Sequence, residues 1–444
     1  MEGKKTGRLC WIVLACLVVP MFASYFFDDM FSSVSHLFKD PQLLELGWDS
    51  KDLGNFIGDY SLLCVCGGLI VGGILLDIFG IRIMGSVFMV MMLAGGAMAY
   101  LGVAGGLPKD QAITIGRIGR MMFGLGSEIA GVAVTRSIAK WFKGRHMSLA
   151  MSLQLAIARA GTALALIFAP FIVGVPKDWY PVADTARPAL IGLILLLAGM
   201  AVWVIFTFMD YRFDRQMGIS YKRGEVGEEE KFSFKDILSL LRNPRFLMIG
   251  LLCVTFYCCV SSFKKFGTSV VIPRFGIADG AAGTMVAMIP FFTIVFTPIF
   301  GALVDKVGKA TRWMGLGSIA VLSGHLILAF APQGVHFFGY AGIALLGLGY
   351  SLVPSAMWPS VPKIVPEKNL GTAYSLIYWI QNVGLFFVPK IVGSIFAKNS
   401  GLDGVAQVEW LFIGLGTAAI ALALLLGRSS SAHPELALDE PNKR

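Results

Sequence analysis

Apolar runs of about twenty residues recur twelve times along this 444-residue chain, and no other feature restricts its fold as much. A bilayer core of about 30 Å needs roughly 20 apolar residues per helix. A window of that length finds spans centred near residues 20, 65, 94, 125, 160, 198, 258, 292, 321, 347, 382 and 418. Lipid offers backbone amides no partner, so each span must bond internally as a helix. The predicted class is an all-α membrane protein with twelve transmembrane helices in two six-helix halves. Composition agrees, with 56% of residues hydrophobic and 15% charged, against about a quarter charged in a soluble chain.

The net charge of +9 raises nucleic acid as a partner. Position excludes it, because Lys and Arg gather in short loops between apolar runs. With the N-terminus inside, alternate loops hold about 23 Lys and Arg on the inner side and about 7 on the outer, and seven more lie within helices. That asymmetry places both termini in the cytoplasm and makes the lipid bilayer the expected partner. Cys10, Cys16, Cys64, Cys66, Cys253, Cys258 and Cys259 lack zinc-site spacing and read as small buried hydrophobes, so no metal or cofactor is expected. The run from Leu9 to Phe27 follows a short basic start and resembles a signal peptide. No small-residue cleavage site ends it, so it reads as the first span.

One long polar break, Asp210 to Arg245, divides the chain. It predicts a first half over 1–209, a linker over 210–245, a second half over 246–428 and a cytoplasmic tail over 429–444. Phe232, Ile237, Leu238 and Leu241 predict a short interfacial helix inside the linker. An internal repeat supports the division. Gly73-Ile-Leu-Leu-Asp77-Ile-Phe-Gly80-Ile-Arg82 after the second span matches Gly301-Ala-Leu-Val-Asp305-Lys306-Val-Gly308-Lys309 after the eighth. The first glycine is expected to allow close helix contact, the Asp to face a helix N-terminus or an Arg, and the second glycine to permit a tight turn. Six plus six helices carrying this paired loop resemble the major facilitator superfamily, whose halves are related by an axis along the membrane normal. Asp77, Arg82, Asp305, Lys309 and, deeper in the membrane, Arg120 are the expected gating residues.

Charges inside a membrane are costly and therefore informative. The first span carries Tyr25-Phe-Phe-Asp28-Asp29 near its outer end. The fourth carries Arg117, placed to snorkel outward, then Arg120 and Glu128, with Gly124 and Gly126 suited to close packing or a cavity wall. The fifth carries Arg159 near the midplane. A structural Glu128–Arg159 pair and a substrate site using one or both charges both fit. In the seventh, at least one of Lys264 and Lys265 should face a cavity. The tenth ends in Trp358-Pro359-Ser360-Val361-Pro362, where proline should bend or break the helix, and Trp358 reads equally as a gate or an interfacial anchor. The eleventh carries Gln381-Asn382, expected to bond to neighbouring helices, with Tyr374, Tyr378 and Trp379 one or two turns earlier. An anion beside a cation suits a zwitterion, because a carboxylate holds an ammonium and Arg grips a carboxylate with a two-pronged fork. No nucleophile–base set marks an enzyme.

Several stretches resemble one branch of that superfamily, the lysosomal dipeptide uniporter family and its bacterial relatives. They are Gly119-Arg120 through Glu128, Lys140-Trp-Phe-Lys-Gly144, Gln154 through Gly161, Gly349-Tyr-Ser-Leu352, Ala356-Met-Trp358-Pro359, Val365-Pro-Glu367, Leu370 through Tyr374, and Ile380 through Leu385. The resemblance implies dipeptide movement by alternating access, without obligatory proton coupling, through a site between the halves. Glu128 would take the ammonium and Arg159 the carboxylate, with Asp29, Tyr25, Trp358, Tyr378, Gln381 and Asn382 lining the site. A proton-coupled carrier of organic anions or drugs and a non-transporting nutrient sensor are the alternatives. The lysosomal relatives use an accessory subunit, but no docking surface for one is marked here, and a monomer is expected. The basic start carries no acidic dileucine sorting signal, so a bacterial inner (plasma) membrane is the expected location.

Overall fold

The computed structural model describes residues 2–36, 48–142, 147–173, 186–217, 234–366, 369–399, 401–433 and 438–441. Eleven helices among these are long and apolar enough to cross a membrane. They are Leu9–Asp29 (α1), Ser50–Leu76 (α2), Ile78–Val103 (α3), Leu149–Val173 (α5), Ala186–Gln216 (α6), Pro244–Phe275 (α7), Asp279–Val307 (α8), Ala310–Phe330 (α9), His336–Ile364 (α10), Thr372–Lys398 (α11) and Gly401–Ala432 (α12). Lys109–Trp141 (α4) is the twelfth. Its 33 residues give it the length, but Arg117, Arg120, Glu128 and Arg136 lower its hydropathy. The twelve-helix expectation stands, and the helix with the weakest apolar signal is the one with the most intramembrane chemistry.

The chain forms two compact units. One holds α1, α2 from Asp59 onwards, and α3 to α6; the other holds α7 to α12 together with Trp48–Gly58 and the residues from Ser32. The compact units differ from the expected halves at α2, whose first turns fall in the second unit. Glycines explain this. A Cβ on Gly54 would stand 2.7 Å from the Pro389 carbonyl oxygen, and one on Gly58 would stand 2.5 Å from that of Phe386, so only glycine lets α2 lie this close to α11. In the first unit, Gly95 and Gly119 do the same for α3 and α4, where a methyl on either would collide with the facing backbone.

Other boundaries move too. α6 continues past residue 209 to Gln216, because Asp210 and Asp214, which read as loop, are buried and ion-paired. α12 likewise runs to Ala432, into the expected tail. A short helix is present at Phe234–Arg242, with Leu238 and Leu241 exposed. Phe232 and the acidic patch Glu228 to Glu230 lie outside the described residues.

Besides the kink at Gly80 near the start of α3, three described helices leave regular α geometry. α2 passes through a π-helical turn at Cys64–Gly68, and α7 through another at Cys258–Ser262. Such turns shift the register of everything beyond them and are frequent at functional sites. α10 tightens to a 3₁₀ turn at Trp358–Ser360 and then resumes, as Pro359 and Pro362 predict. The cysteine expectation holds for Cys64, Cys253, Cys258 and Cys259 but not for Cys66, which the π-helical turn leaves exposed; Cys10 and Cys16 are half-buried.

Candidate functional site

In the first unit, polar groups from α1, α2 and α4 converge. Tyr60 sits where α2 is interrupted, and its hydroxyl donates to Glu128 Oε1 at 3.0 Å. It also stands 3.4 Å from Ser127 Oγ, which is 2.5 Å from Ser24 Oγ on α1. Gly124 makes this meeting possible, since a Cβ there would collide with the Tyr60 carbonyl. Glu128 is half-buried, and among the described residues it makes no ion pair. Of the two readings open for Glu128 and Arg159, the paired one is not what the structure has. Arg159 is half-buried on α5.

Arg120 is 1% exposed and forms an ion pair with Asp28 on α1. Its guanidinium lies over the Tyr60 ring at 5.2 Å and the Phe123 ring at 5.5 Å from the centroids. Asp29, the neighbour of Asp28, is buried and accepts from Thr162 Oγ1 at 2.6 Å. The expected contact residue Asp29 is therefore sunk between helices, while half-buried Asp28 and Tyr25 occupy the more open face of α1. Arg117 does not snorkel freely as expected; it pairs with buried Asp59 at 2.5 Å.

In the second unit, Trp358 is half-buried and stacks on Tyr378, with ring centroids 4.9 Å apart. Its indole N–H donates to Tyr257 Oη at 3.1 Å, and Tyr350 stands 5.7 Å from the Tyr257 ring. Trp358 is thus part of an aromatic wall from α7, α10 and α11, which favours neither the gate nor the anchor reading alone. Gln381 accepts from Cys253 Sγ on α7 at 3.5 Å. Asn382 departs from expectation by bonding its own helix, Nδ2 to the Tyr378 carbonyl at 3.0 Å, and its buried Oδ1 has no hydrogen-bond partner among the described residues. Lys264 is 7% exposed and Lys265 half-buried.

The gating residues divide. Arg82 joins Lys140, Asp210 and Asp214 in a cluster, with Arg82 Nη2 3.2 Å from Asp214 and Lys140 Nζ 2.8 Å from Asp210. Trp141 Nε1 adds a bond to Asp210 at 2.8 Å. Gly80 and Gly308 turn the chain at φ 79° and 69°, as their places in the repeat predict, and Lys309 follows at φ 56°. Asp305 and Lys309 are exposed. Among the described residues Gly73 and Gly301 do not serve close helix contact, since a Cβ on either would meet nothing within 4 Å. The side chain of Asp77, and Lys143, Gly144 and Glu367 of the resembling stretches, lie outside the described residues.

Comparison with known proteins bears on this arrangement. The family described as Major Facilitator Superfamily matches residues 21–389 and 254–442. The chain belongs to the major facilitator superfamily. Among its relatives is the lysosomal dipeptide transporter MFSD1 of Danio rerio, 30% identical over 364 residues, or 80% of this chain and 74% of that one. The Homo sapiens protein of the same name is 30% identical over 372 residues, covering 82% and 75%. Among solved structures, a peptide transporter POT in complex with sulfate matches with a TM-score of 0.70 at 15% identity, covering 96% of each chain. A D-xylose-proton symporter matches with a TM-score of 0.67 at 16% identity, covering 94% and 96%. These structures share the fold. The resemblance read from the fourth, fifth, tenth and eleventh spans is borne out, and this facilitator is a multi-pass membrane transporter of a small molecule rather than an enzyme.

Sequence reasoning about this facilitator missed Tyr60, Ser24 and Ser127, whose residue types give no signal inside a span. It also missed His325 on α9 and Glu409 on α12. Both are fully buried, and His325 Nδ1 lies 2.7 Å from Glu409 Oε2. Phe412 stacks on the imidazole at 5.0 Å and Phe263 meets its edge at 5.2 Å. Their signal was available, since each is a lone ionisable residue in an apolar run.

Proposed function

We propose that this facilitator moves dipeptides, or related zwitterionic amino-acid-type solutes, by alternating access as a uniporter, with Glu128 holding the ammonium and Arg159 the carboxylate. The observation that carries the reading is Glu128, a half-buried carboxylate in a membrane span, aimed by Tyr60 and making no ion pair among the described residues. A charged side chain at the centre of a span costs on the order of 3 kcal/mol on insertion scales, so it is retained where a partner arrives. An ammonium is that partner by charge, and Arg159 offers a carboxylate two parallel hydrogen bonds. The relatives named as dipeptide transporters support the same class of solute. Tyr25, Trp358, Tyr378, Gln381 and Asn382 are the further residues assigned to the solute, and Asn382 Oδ1 has no hydrogen-bond partner among the described residues. Asp29, buried against Thr162, supports the site from behind. Arg120 and the signature loops with Asp77, Arg82, Asp305 and Lys309 control opening. The protein works as a monomer in a bacterial plasma membrane with both termini inside.

A thermal-shift screen of dipeptides and amino acids on purified protein tests this reading. Ligand at about 100 times its Kd stabilises the folded state by about 2.7 kcal/mol. A dipeptide should raise the melting temperature of the wild type and not that of Arg159→Ala. No shift with any dipeptide, or an equal shift in the variant, sinks the assignment. Half-buried Asp28 and Glu128, linked through Arg120 and Tyr60, favour a second reading, in which a carboxylate carries a proton. Uptake that stops when an imposed pH gradient is removed would select it over uniport. Binding without flux in proteoliposomes would select a sensor.

A further inference from the structure

The two copies of the signature loop differ in what fills the space beside their second glycine. Among the described residues, a Cβ on Gly80 would meet nothing within 4 Å, whereas one on Gly308 would stand 2.5 Å from the Asp439 carbonyl oxygen and 2.7 Å from the Pro441 nitrogen. The segment Leu438–Pro441, beyond α12 in sequence, lies against the α8–α9 loop. Its contacts are dense for four residues. The Asp439 carbonyl accepts the Lys309 amide at 2.6 Å. The Asp439 carboxylate accepts the Thr311 amide and hydroxyl, each at 2.9 Å. That carboxylate satisfies a donor in the first turn of α9, where negative charge is favoured. Lys363, at the end of α10, donates to the Glu440 carbonyl at 2.8 Å and the Leu438 carbonyl at 3.4 Å. The Leu438 side chain is 1% exposed. Lys309 itself adopts a left-handed conformation, φ 56°, uncommon outside glycine. The hydrogen bond from its amide holds it there.

We propose that Leu438–Pro441 is an autoinhibitory strap, which when docked fixes the α8–α9 loop and the end of α10 in the conformation described here. Alternating access is largely rigid-body rocking, in which the loops at the helix ends change neighbours. A contact made in one state and lost in another shifts the balance between states by its free energy. The strap joins the ends of α8, α9 and α10 through one carboxylate, one lysine and one buried leucine, and among the described residues the first copy of the loop has no glycine-side occupant to match it.

The test uses the full chain carrying Asp439→Ala, and separately Leu438→Asp. Two readouts are taken without substrate: amide hydrogen exchange across residues 308–312, and the ratio of conformers by single-molecule energy transfer between labels placed one in each unit. Losing bonds to a charged group should speed exchange at least about tenfold. The conformer ratio should move at least about fivefold away from this state. Asp439→Asn, which keeps an acceptor for Thr311, should lie between. Unchanged exchange would show that the segment does not dock. Faster exchange with an unchanged ratio would show a local brace and no regulation. Either overturns the proposal. If Leu438→Asp fails to fold, Asp439→Ala carries the test. Neither readout needs a dipeptide, so the strap and the solute assignment fail separately.

Discussion

The Tyr60 hydroxyl donates to the Glu128 carboxylate at 3.0 Å, joining the interrupted part of α2 to the middle of α4. Gly124 removes the side chain that would keep the two backbones apart, and the π-helical turn at Cys64–Gly68 absorbs the change in helical register that follows. A hydrogen bond to a charged group is worth about 1.5–3 kcal/mol. Tyr60→Phe should therefore weaken dipeptide binding by about tenfold or more while leaving the fold intact, and Glu128→Gln should weaken it further. Dose-dependent thermal shifts read both. Wild-type affinity in Tyr60→Phe would show that the bond does not orient the site.

Arg120, 1% exposed, forms an ion pair with the half-buried Asp28. Removing one partner of a buried pair costs about 3–5 kcal/mol, because it strands the other charge. Asp28 retains some exposure, so the lower end applies here. Arg120→Ala should lower the melting temperature by several degrees, and Arg120→Met combined with Asp28→Leu should recover most of the loss. Fluorescence-detected size exclusion after heating measures this. A single variant as stable as wild type would contradict the account.

His325 and Glu409 tie α9 to α12 with both side chains 0% exposed. The same reasoning gives a larger effect, since neither charge can reach water. His325→Leu or Glu409→Leu alone should reduce the folded yield sharply, while the double leucine variant should approach wild type in stability. Additive losses in the double variant would show that the two residues act independently.

Asp210 receives Lys140, Trp141 and Arg82, whereas Asp214 receives Lys140 and Arg82. Asp210→Asn should therefore slow transport more than Asp214→Asn. The double variant should depart from additivity by about 0.5–3 kcal/mol in transition free energy, as expected for groups sharing partners. Initial rates in proteoliposomes decide it, and equal effects would remove Asp210 from the centre of the cluster.

Much of this was legible in the sequence because lipid penalises polar groups so heavily. Twelve apolar runs dictate twelve helices, and the charges inside them point to Arg120, Glu128 and Arg159 without any structure. The paired loops announced the two-fold repeat, and Gly80 and Gly308 turn as predicted. What stayed hidden depends on which helices touch. Tyr60 is an ordinary tyrosine until the break in α2 brings it to Glu128. Asp28 and Asp29 are adjacent in sequence, yet one faces Arg120 and the other Thr162, a distinction set by helical rotation alone. Asp210 and Asp214 look like loop residues because hydropathy cannot see that Lys140 and Arg82 neutralise them inside α6. The approach of α2 to α11 was hidden for the same reason, since glycines announce closeness but not the partner.

The central claim is that Glu128 and Arg159 hold the two ends of a zwitterionic dipeptide. Uptake of a labelled dipeptide into proteoliposomes, competed by its N-acetylated and C-amidated forms, tests it most directly. The account predicts that the unmodified dipeptide competes well and that both blocked forms compete at least about tenfold less, each having lost one charge-assisted contact. It further predicts that Glu128→Gln no longer discriminates against the N-acetylated form, nor Arg159→Ala against the amide. Equal competition by blocked and free dipeptides in the wild type would contradict the account.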